Sequence, residues 1–485
     1  MIFEDPDLTQ PNRLERLSAA LLAGLLASGC ATQLAQPETR NAISAVAPQA
    51  WNTPLPHAGS TGDLARWWQS LGDPLLVELI DAGEKVSPTL ASATARLQQA
   101  RAALGQASAA NRPSLSANAS AQRGVNSTSP TVGTALQASL DASWEIDLFG
   151  ANSQAASAAQ ARLQGSAAQW HEARVLVAAE TASTYFNWRT CRSLMDVVQT
   201  DATSRIETAR LSQLSAQVGF TAPAVAALAQ ASAAEGRSRV TQQGQQCDSV
   251  LKALVALTAL DERELSRRLG PAAPAMPALA MPAVSALPAE VLSQRPDLYA
   301  AQYEVAAASF DLGSAQARRY PRLMLNGSVG ALTYSSQGNS TDLTTWSVGP
   351  IALSLPLLDG GQRVANVQSA QARYQEAAAL YRAKARQAVR EVEDALLLLA
   401  TTASQKEDAQ AAAKGYSASF AGTQARYQAG AAGLPELEEA RRMTLAAQST
   451  LLQLELQRSL AWIALYRALG GGWNMDASLP QAANP

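Results

Sequence analysis

Histidine and cysteine are nearly missing from this chain: 485 residues hold two His and three Cys. The histidines, His57 and His171, stand far apart, and no Cys/His spacing suited to a metal appears. A Gly-rich phosphate loop and a nucleophile–base constellation are also missing, so the sequence offers no catalytic, cofactor or metal site. Asp147 and Asp359, near two strand exits, read as turn or lumen residues. Charge is scarce and balanced, with 16% charged residues and a net charge of -2, which gives no reason to expect nucleic acid as a partner. Aromatics make up only 5% of the residues. Past Cys30 no uninterrupted apolar stretch approaches the ~20 residues of a spanning helix. Any bilayer crossing must therefore be made of strands. What remains is abundant Ala, Gln, Ser and Leu, a composition suited to long, closely packed helices.

The N-terminus reads as an export signal. Arg13 and Arg16 precede the apolar run Leu21-Leu22-Ala23-Gly24-Leu25-Leu26, and small residues then lead to Cys30. Ala27-Ser28-Gly29-Cys30 resembles a bacterial lipobox, which implies a signal peptide over 1–29 and lipid on Cys30. Ala27 stands where Leu is usual, and Glu4, Asp5 and Asp7 are uncommon in such a start; the alternative is an ordinary signal with an incidental cysteine. Ala31 after the cysteine favours passage to the outer membrane. Residues 30–62, rich in Pro, Ala and Thr, read as a tether.

The rest of the chain is written twice. Pro88, Leu90, Gly105, Ala107, Pro113 and Leu115 recur 208 positions later at Pro296, Leu298, Gly313, Ala315, Pro321 and Leu323. From Gly150 and Gly361 the offset becomes 211, and it holds through Ala161-Arg162, Glu180 and Gly219. The period is too long for a solenoid and marks a duplicated unit. The copies span 63–269 and 289–472, joined by a Pro-rich linker at 270–288 and followed by a tail at 473–485.

Each copy has the same internal order. Asp63 to Glu84 reads as a short helix, and Ser87-Pro88 opens a second. Two strands follow, at about 113–123 and 134–148 in the first copy and 321–335 and 345–357 in the second. Leu136, Ala138, Leu140, Ala142, Trp144, Ile146 and Leu148 alternate with polar residues, a strong period of two. Pro350 breaks the second copy's pattern and points to an edge or a bulge. A long helical hairpin closes each copy, at about 151–260 and 361–469. Val367, Ala370, Tyr374, Ala378, Tyr381, Ala385, Ala388, Val392, Ala395 and Leu399 keep gaps of three and four, the mark of a coiled-coil seam. Some 65 residues make a rod of roughly 100 Å.

Four strands per chain cannot close a membrane barrel, whose smallest members have about eight. Spanning strands thus require an oligomer; a soluble sheet covered on one face is the other possibility. In a barrel, Leu136, Leu140, Trp144 and Ile146 face lipid while Asp141 and Glu145 face a wet lumen. Trp144, Phe149, Tyr334 and Trp346 are either interfacial anchors or packing between protomers.

Three segments resemble one family. They are Arg66-Trp67-Trp68-Gln69 with Gly72-Asp73-Pro74-Leu75, then Gln294-Arg295-Pro296-Asp297-Leu298 with Tyr320-Pro321, and Leu353-Ser354-Leu355-Pro356-Leu357-Leu358-Asp359-Gly360-Gly361. Together they are similar to the signatures of TolC-like outer membrane factors, and with the lipobox to their NodT-type efflux lipoprotein branch. The resemblance implies a mainly α chain with a transmembrane β-barrel, and a homotrimer with a twelve-stranded barrel set in outer-membrane lipid. It also implies a periplasmic α-helical tunnel, a periplasmic adaptor protein and an inner-membrane resistance-nodulation-division pump. The function implied is a passive exit duct for small molecules (drugs, organic compounds or metal ions), with no reaction catalysed. A duct for type I protein secretion and a structural envelope-spanning lipoprotein are the alternatives.

By the same resemblance the hairpin tips, Val218, Gly219 and Phe220 with Gly430, Ala431 and Gly433, meet the adaptor, and Arg426 and Tyr427 occupy gate positions. Glu436, Glu438 and Glu439 follow the second tip, where they either pair with such a gate or stabilise the helix start. The first copy has uncharged Ser215 and Ala216 at the gate positions. Cys191 and Cys247 each lie 28 residues from Gly219. In an antiparallel helical hairpin they face each other about 42 Å from the tip. A disulfide is expected, with two buried thiols as the alternative.

Overall fold

A computed structural model describes residues 48–53, 64–126, 129–270 and 288–473. The expected signal peptide, Cys30 and most of the tether and linker lie outside the described residues. After a 3₁₀ turn at Leu64–Arg66 the elements are α1 (Trp67–Ser70), α2 (Pro74–Val86), α3 (Pro88–Ala109), β1 (Ser114–Asn126), β2 (Ser129–Ile146), α4 (Ala151–Gln217), α5 (Pro223–Thr258) and α6 (Glu262–Leu269). The second copy supplies α7 (Pro288–Ser293), α8 (Pro296–Ala317), β3 (Arg322–Ser336), β4 (Asn339–Ser354), α9 (Gln362–Gln428) and α10 (Leu434–Ala468).

The caps explain where the helices begin. Asp73 Oδ1 accepts the Leu76 N–H at 3.2 Å with Pro74 in the first turn of α2. Ser87 Oγ accepts the Leu90 N–H ahead of Pro88. The single helix expected over 63–84 is broken, because Gly72 turns the chain at φ +67° between α1 and α2.

Two compact units emerge, and each draws on both copies, so the sequence repeat is not the spatial unit. One comprises Arg101–Arg162 and Glu304–Ala378 and contains the sheet. Its strands are antiparallel in the order β1-β2-β3-β4, so the two copies meet where β2 pairs with β3 (Ala138↔Ala331, Leu140↔Val329). The registers give the sheet two chemically distinct faces. Leu136, Leu140, Trp144, Ile146, Leu323, Leu325, Val329 and Trp346 share one face, while Ser116, Asn118, Ser139, Asp141, Ser328 and Ser347 share the other. Asn118 Nδ2 and Ser139 Oγ donate to Asp141 Oδ2 at 2.7 and 2.9 Å.

The strands run further toward their turns than alternation indicates. Pairing continues to Asn126↔Ser129 and to Ser336↔Asn339, because the backbone ladder does not need apolar side chains. Gln337 and Gly338 both have positive φ, as a two-residue hairpin turn with the sheet's twist requires. At the other end β4 stops at Ser354, three residues before the expected limit. Pro350 lies on the edge strand β4, beside the register shift between Leu325 and Gly327. Tyr334 falls on the polar face, its ring against Gly133, so it is not a lipid-side anchor. Trp144 donates Nε1–H to Asn111 O at 3.2 Å, and Phe149 stacks on Tyr320 at 4.8 Å.

The other unit holds the main core and most of the helical hairpins. Trp67 and Trp68 pack on Tyr466, with ring centroids 4.9 and 4.8 Å away. Leu76, Leu79, Phe186, Leu254, Val392 and Trp462 complete that core. Small residues line the helix seams. Ala385, Ala388, Val392, Ala395 and Leu399 are buried as their spacing predicts. Trp473, the first residue of the expected tail, packs on Tyr299 at 5.0 Å and on His171 at 6.0 Å, and the rest of that tail lies outside the described residues. Among the described residues no helix is long and apolar enough to cross a membrane.

Candidate functional site at the hairpin tips

The tips are built on two glycines. Gly219 and Gly430 take φ +82° and +74°, the left-handed conformation that ends a helix without a Cβ clash. Phe220 N–H then returns to Ser215 O at 2.9 Å, and Ala431 N–H to Arg426 O at 2.8 Å. Pro223 and Pro435 restart the return helices in their first turns. Val218 and Phe220 are exposed, Phe220 by 87%, so the first tip presents apolar side chains outward.

The gate candidates behave differently from each other. Arg426 Nη1 lies 2.8 Å from Glu436 Oε1, across its own tip, with both side chains about half exposed. A pair this wet contributes at most ~1 kcal/mol. Tyr427 turns the other way. Its hydroxyl hydrogen-bonds Ser212 Oγ at 3.0 Å, linking the second hairpin to the first, and its ring joins a small core with Ala209, Ala229, Leu434 and Leu437. Beside it an open groove of about 440 Å³ is lined by Thr200, Thr203, Thr208, Gln424, Tyr427 and Leu437, among others.

Farther from the tip lies a buried ionic cluster that sequence patterning did not single out. Arg205 on α4 donates to Asp201 Oδ2 at 2.8 Å, to Ser232 Oγ at 2.6 Å and to Glu438 Oε2 at 2.7 Å. Arg441 on α10 donates to Glu438 Oε1, and to Ser204 Oγ and Thr208 Oγ1 at 3.0 and 3.1 Å. Its guanidinium also lies over the Phe420 ring at 5.5 Å. Burial holds Arg441's pKa below the usual arginine value despite the attraction of Glu438, and the neighbouring Arg205 charge adds to the lowering. Two cations and two carboxylates thus tie α4 and α5 of the first copy to α10 of the second. Glu438 is therefore more than a helix-start charge. A signal existed: Arg205 sits between the buried Ala202 and Ala209 at helical spacing, a charge placed on a seam.

Higher on the first hairpin, Cys191 and Cys247 are joined, with Cα atoms 5.5 Å apart. Gln243 Nε2 donates to Cys191 O at 3.3 Å and lies 3.1 Å from its sulfur. Among the described residues no group of His, Cys, Asp and Glu is arranged to hold a metal ion.

A family model described as outer membrane efflux protein matches residues 79–260 and 287–471. The chain is 28% identical over 416 residues to the solvent efflux pump outer membrane protein SrpC of Pseudomonas putida, covering 83% of this chain and 87% of the relative. It is 25% identical over 441 residues to nodulation protein T of Rhizobium leguminosarum bv. viciae, covering 89% and 90%. The fold superimposes on the Campylobacter jejuni CmeC outer membrane channel with a TM-score of 0.78 at 23% identity, over 90% of this chain and 96% of that one.

Proposed function

This chain belongs to the outer membrane efflux protein family, and from that premise we propose that it is the outer-membrane exit duct of a tripartite efflux system. The observation that carries the reading is the sheet. Four antiparallel strands present one apolar and one polar face, and β1 and β4 are left with open edges. Lipid cannot satisfy such edges. Three chains joined edge to edge close a barrel of twelve strands, with the apolar face to lipid and Asp141 to the lumen. Trimerisation is thus what the strand count asks for.

The duct conducts passively and catalyses no reaction. A periplasmic adaptor seats on the tips, where the exposed Val218 and Phe220 and the backbone at Gly219, Gly430, Ala431 and Gly433 are the contact points. An inner-membrane pump of the resistance-nodulation-division class supplies the energy through that adaptor. The cargo is small molecules; SrpC's name ties that relative to solvents. Cys30 carries a lipid that adds a membrane anchor.

The second tip supplies the gate. Tyr427 ties the second hairpin to the first, and Arg426 caps its own tip through Glu436. The test is conductance in planar bilayers. The protein is expected to form discrete channels, and Arg426→Ala is expected to raise closed-state conductance. A complete lack of channel events in correctly assembled protein would favour an envelope scaffold instead, and unchanged conductance in the variant would remove Arg426 from the gate.

A further inference from the structure

Residues 48–53 make a contact for which the duct has no use. Glu393 Oε1 accepts the N–H of Asn52 at 2.7 Å, and its Oε2 accepts the N–H of Thr53 at 3.1 Å. One carboxylate thus takes two consecutive backbone donors, an anion seated in a concave run of amides. Hydrogen bonds to a charged acceptor are roughly twice as strong as neutral ones. Trp51, the residue before, packs against the main core. The contact is therefore both polar and apolar.

The duplication shows that this seat is specific to one copy. Glu393 of α9 corresponds to Ala182 of α4 at the offset of 211. Ala182 is fully buried in the main core, with no room for a carboxylate or an incoming strand. The N-terminal segment precedes the first copy in sequence but fastens to the second.

We propose that Glu393 is the mooring point of the N-terminal segment, a seat on α9 built to hold this chain's own residues 51–53. The mooring rests on these contacts; what it restrains, a lipid on Cys30, rests on the export reading above. From Asn52 back to Cys30 the chain can extend over at most roughly 75 Å, which bounds how far the lipid can stand from α9.

Hydrogen exchange at the Asn52 and Thr53 amides of the full-length trimer tests this. In the wild type both amides are protected. Glu393→Ala is expected to speed their exchange by tenfold or more, with Glu393→Gln intermediate because an amide oxygen still accepts. Thr53→Pro removes one donor without touching α9 and is expected to speed exchange at Asn52. Protection of α9 from Ala395 to Leu399 should stay unchanged in all three, which separates release of the segment from unfolding. Cys30→Ser is expected to keep the protection. Wild-type amides exchanging at the unfolded rate, unaltered protection in Glu393→Ala, or loss of protection in Cys30→Ser with Glu393 intact would each overturn the mooring. The last would show that the lipid holds the segment, and it would leave the duct reading standing.

Discussion

Replacing Glu438 with Ala removes the carboxylate that Arg205 and Arg441 share. Arg205 would keep Asp201 and Ser232, while Arg441 would keep the hydroxyls of Ser204 and Thr208 and a looser approach to Asp201 at 3.8 Å. Both guanidiniums are about 95% buried, so water cannot readily replace the lost partner. Breaking a buried pair from one side costs about 3–5 kcal/mol. Glu438 itself is 18% exposed, which places the expected loss near the lower end, about 3 kcal/mol. At 1.4 kcal/mol per decade that is roughly a hundredfold rise in the local opening constant. Native-state hydrogen exchange reads this directly. Amides of α10 around Ala440–Thr444 should exchange roughly a hundredfold faster, while those near the Cys191–Cys247 bridge stay as they were. Restoring neutrality by Glu438→Leu and Asp201→Leu together with Arg205→Met and Arg441→Leu should recover most of the protection, because an apolar cluster of similar volume carries no unpaired charge. Unchanged exchange in Glu438→Ala would show that the cluster does not hold α10 against the first hairpin.

Gly236 lies where α5 meets α4, and a Cβ there would come within 3.0 Å of Arg205 Cδ and 3.2 Å of Ala202 Cα. Overpacking of about 1–3 kcal/mol should outweigh the helix-propensity gain of about 1 kcal/mol, so Gly236→Ala lowers Tm, whereas Gly244→Ala, with only Met195 Cε at 3.8 Å, leaves it equal or higher. The double variant Cys191→Ala with Cys247→Ala reopens a loop with a sequence separation of 56 and should cost about 4 kcal/mol on the loop-entropy account, read as a lower Tm. Burial, aided by Arg174, holds His171's pKa below 6.5. Between 6.5 and that lower value the unfolded chain binds more protons, so this contribution to stability is lost as pH falls; Tm measured from pH 7 to 5 should drop less in His171→Gln than in the wild type.

Periodicity was legible wherever one physical demand acted alone. Strand alternation from Leu136 to Ile146, where β2 ends two residues short of the expected Leu148, and the seam through Ala385, Ala388 and Val392 each report a single buried or lipid-facing surface. The cysteines were legible for a similar reason, since equal distance from a turn is a purely geometric relation. Strand ends were less visible, because the ladder at Gly124↔Gly133 needs backbone groups and not side-chain identity. The ionic cluster depends on contacts between Arg205 and Glu438, residues 233 positions apart, and nothing local in the chain marks that partnership. Its charges are also absent from the other copy, where Asp201 and Arg205 match Ala412 and Tyr416, so the repeat could not point to them.

The pairing of β2 with β3 imposes an order of events. Ala138 and Ala331 are roughly 190 residues apart, and a ladder that distant closes slowly because the intervening chain must first be delivered and searched. While α4 and α5 are being exported and formed, the β1–β2 hairpin waits with a bare edge and an apolar face in water. That interval is when a sheet of this kind is most exposed to pairing with the wrong strand. A cell making this protein therefore has to shelter the first hairpin until the second arrives, and slowing export midway through the chain should raise aggregation more than slowing it near either end.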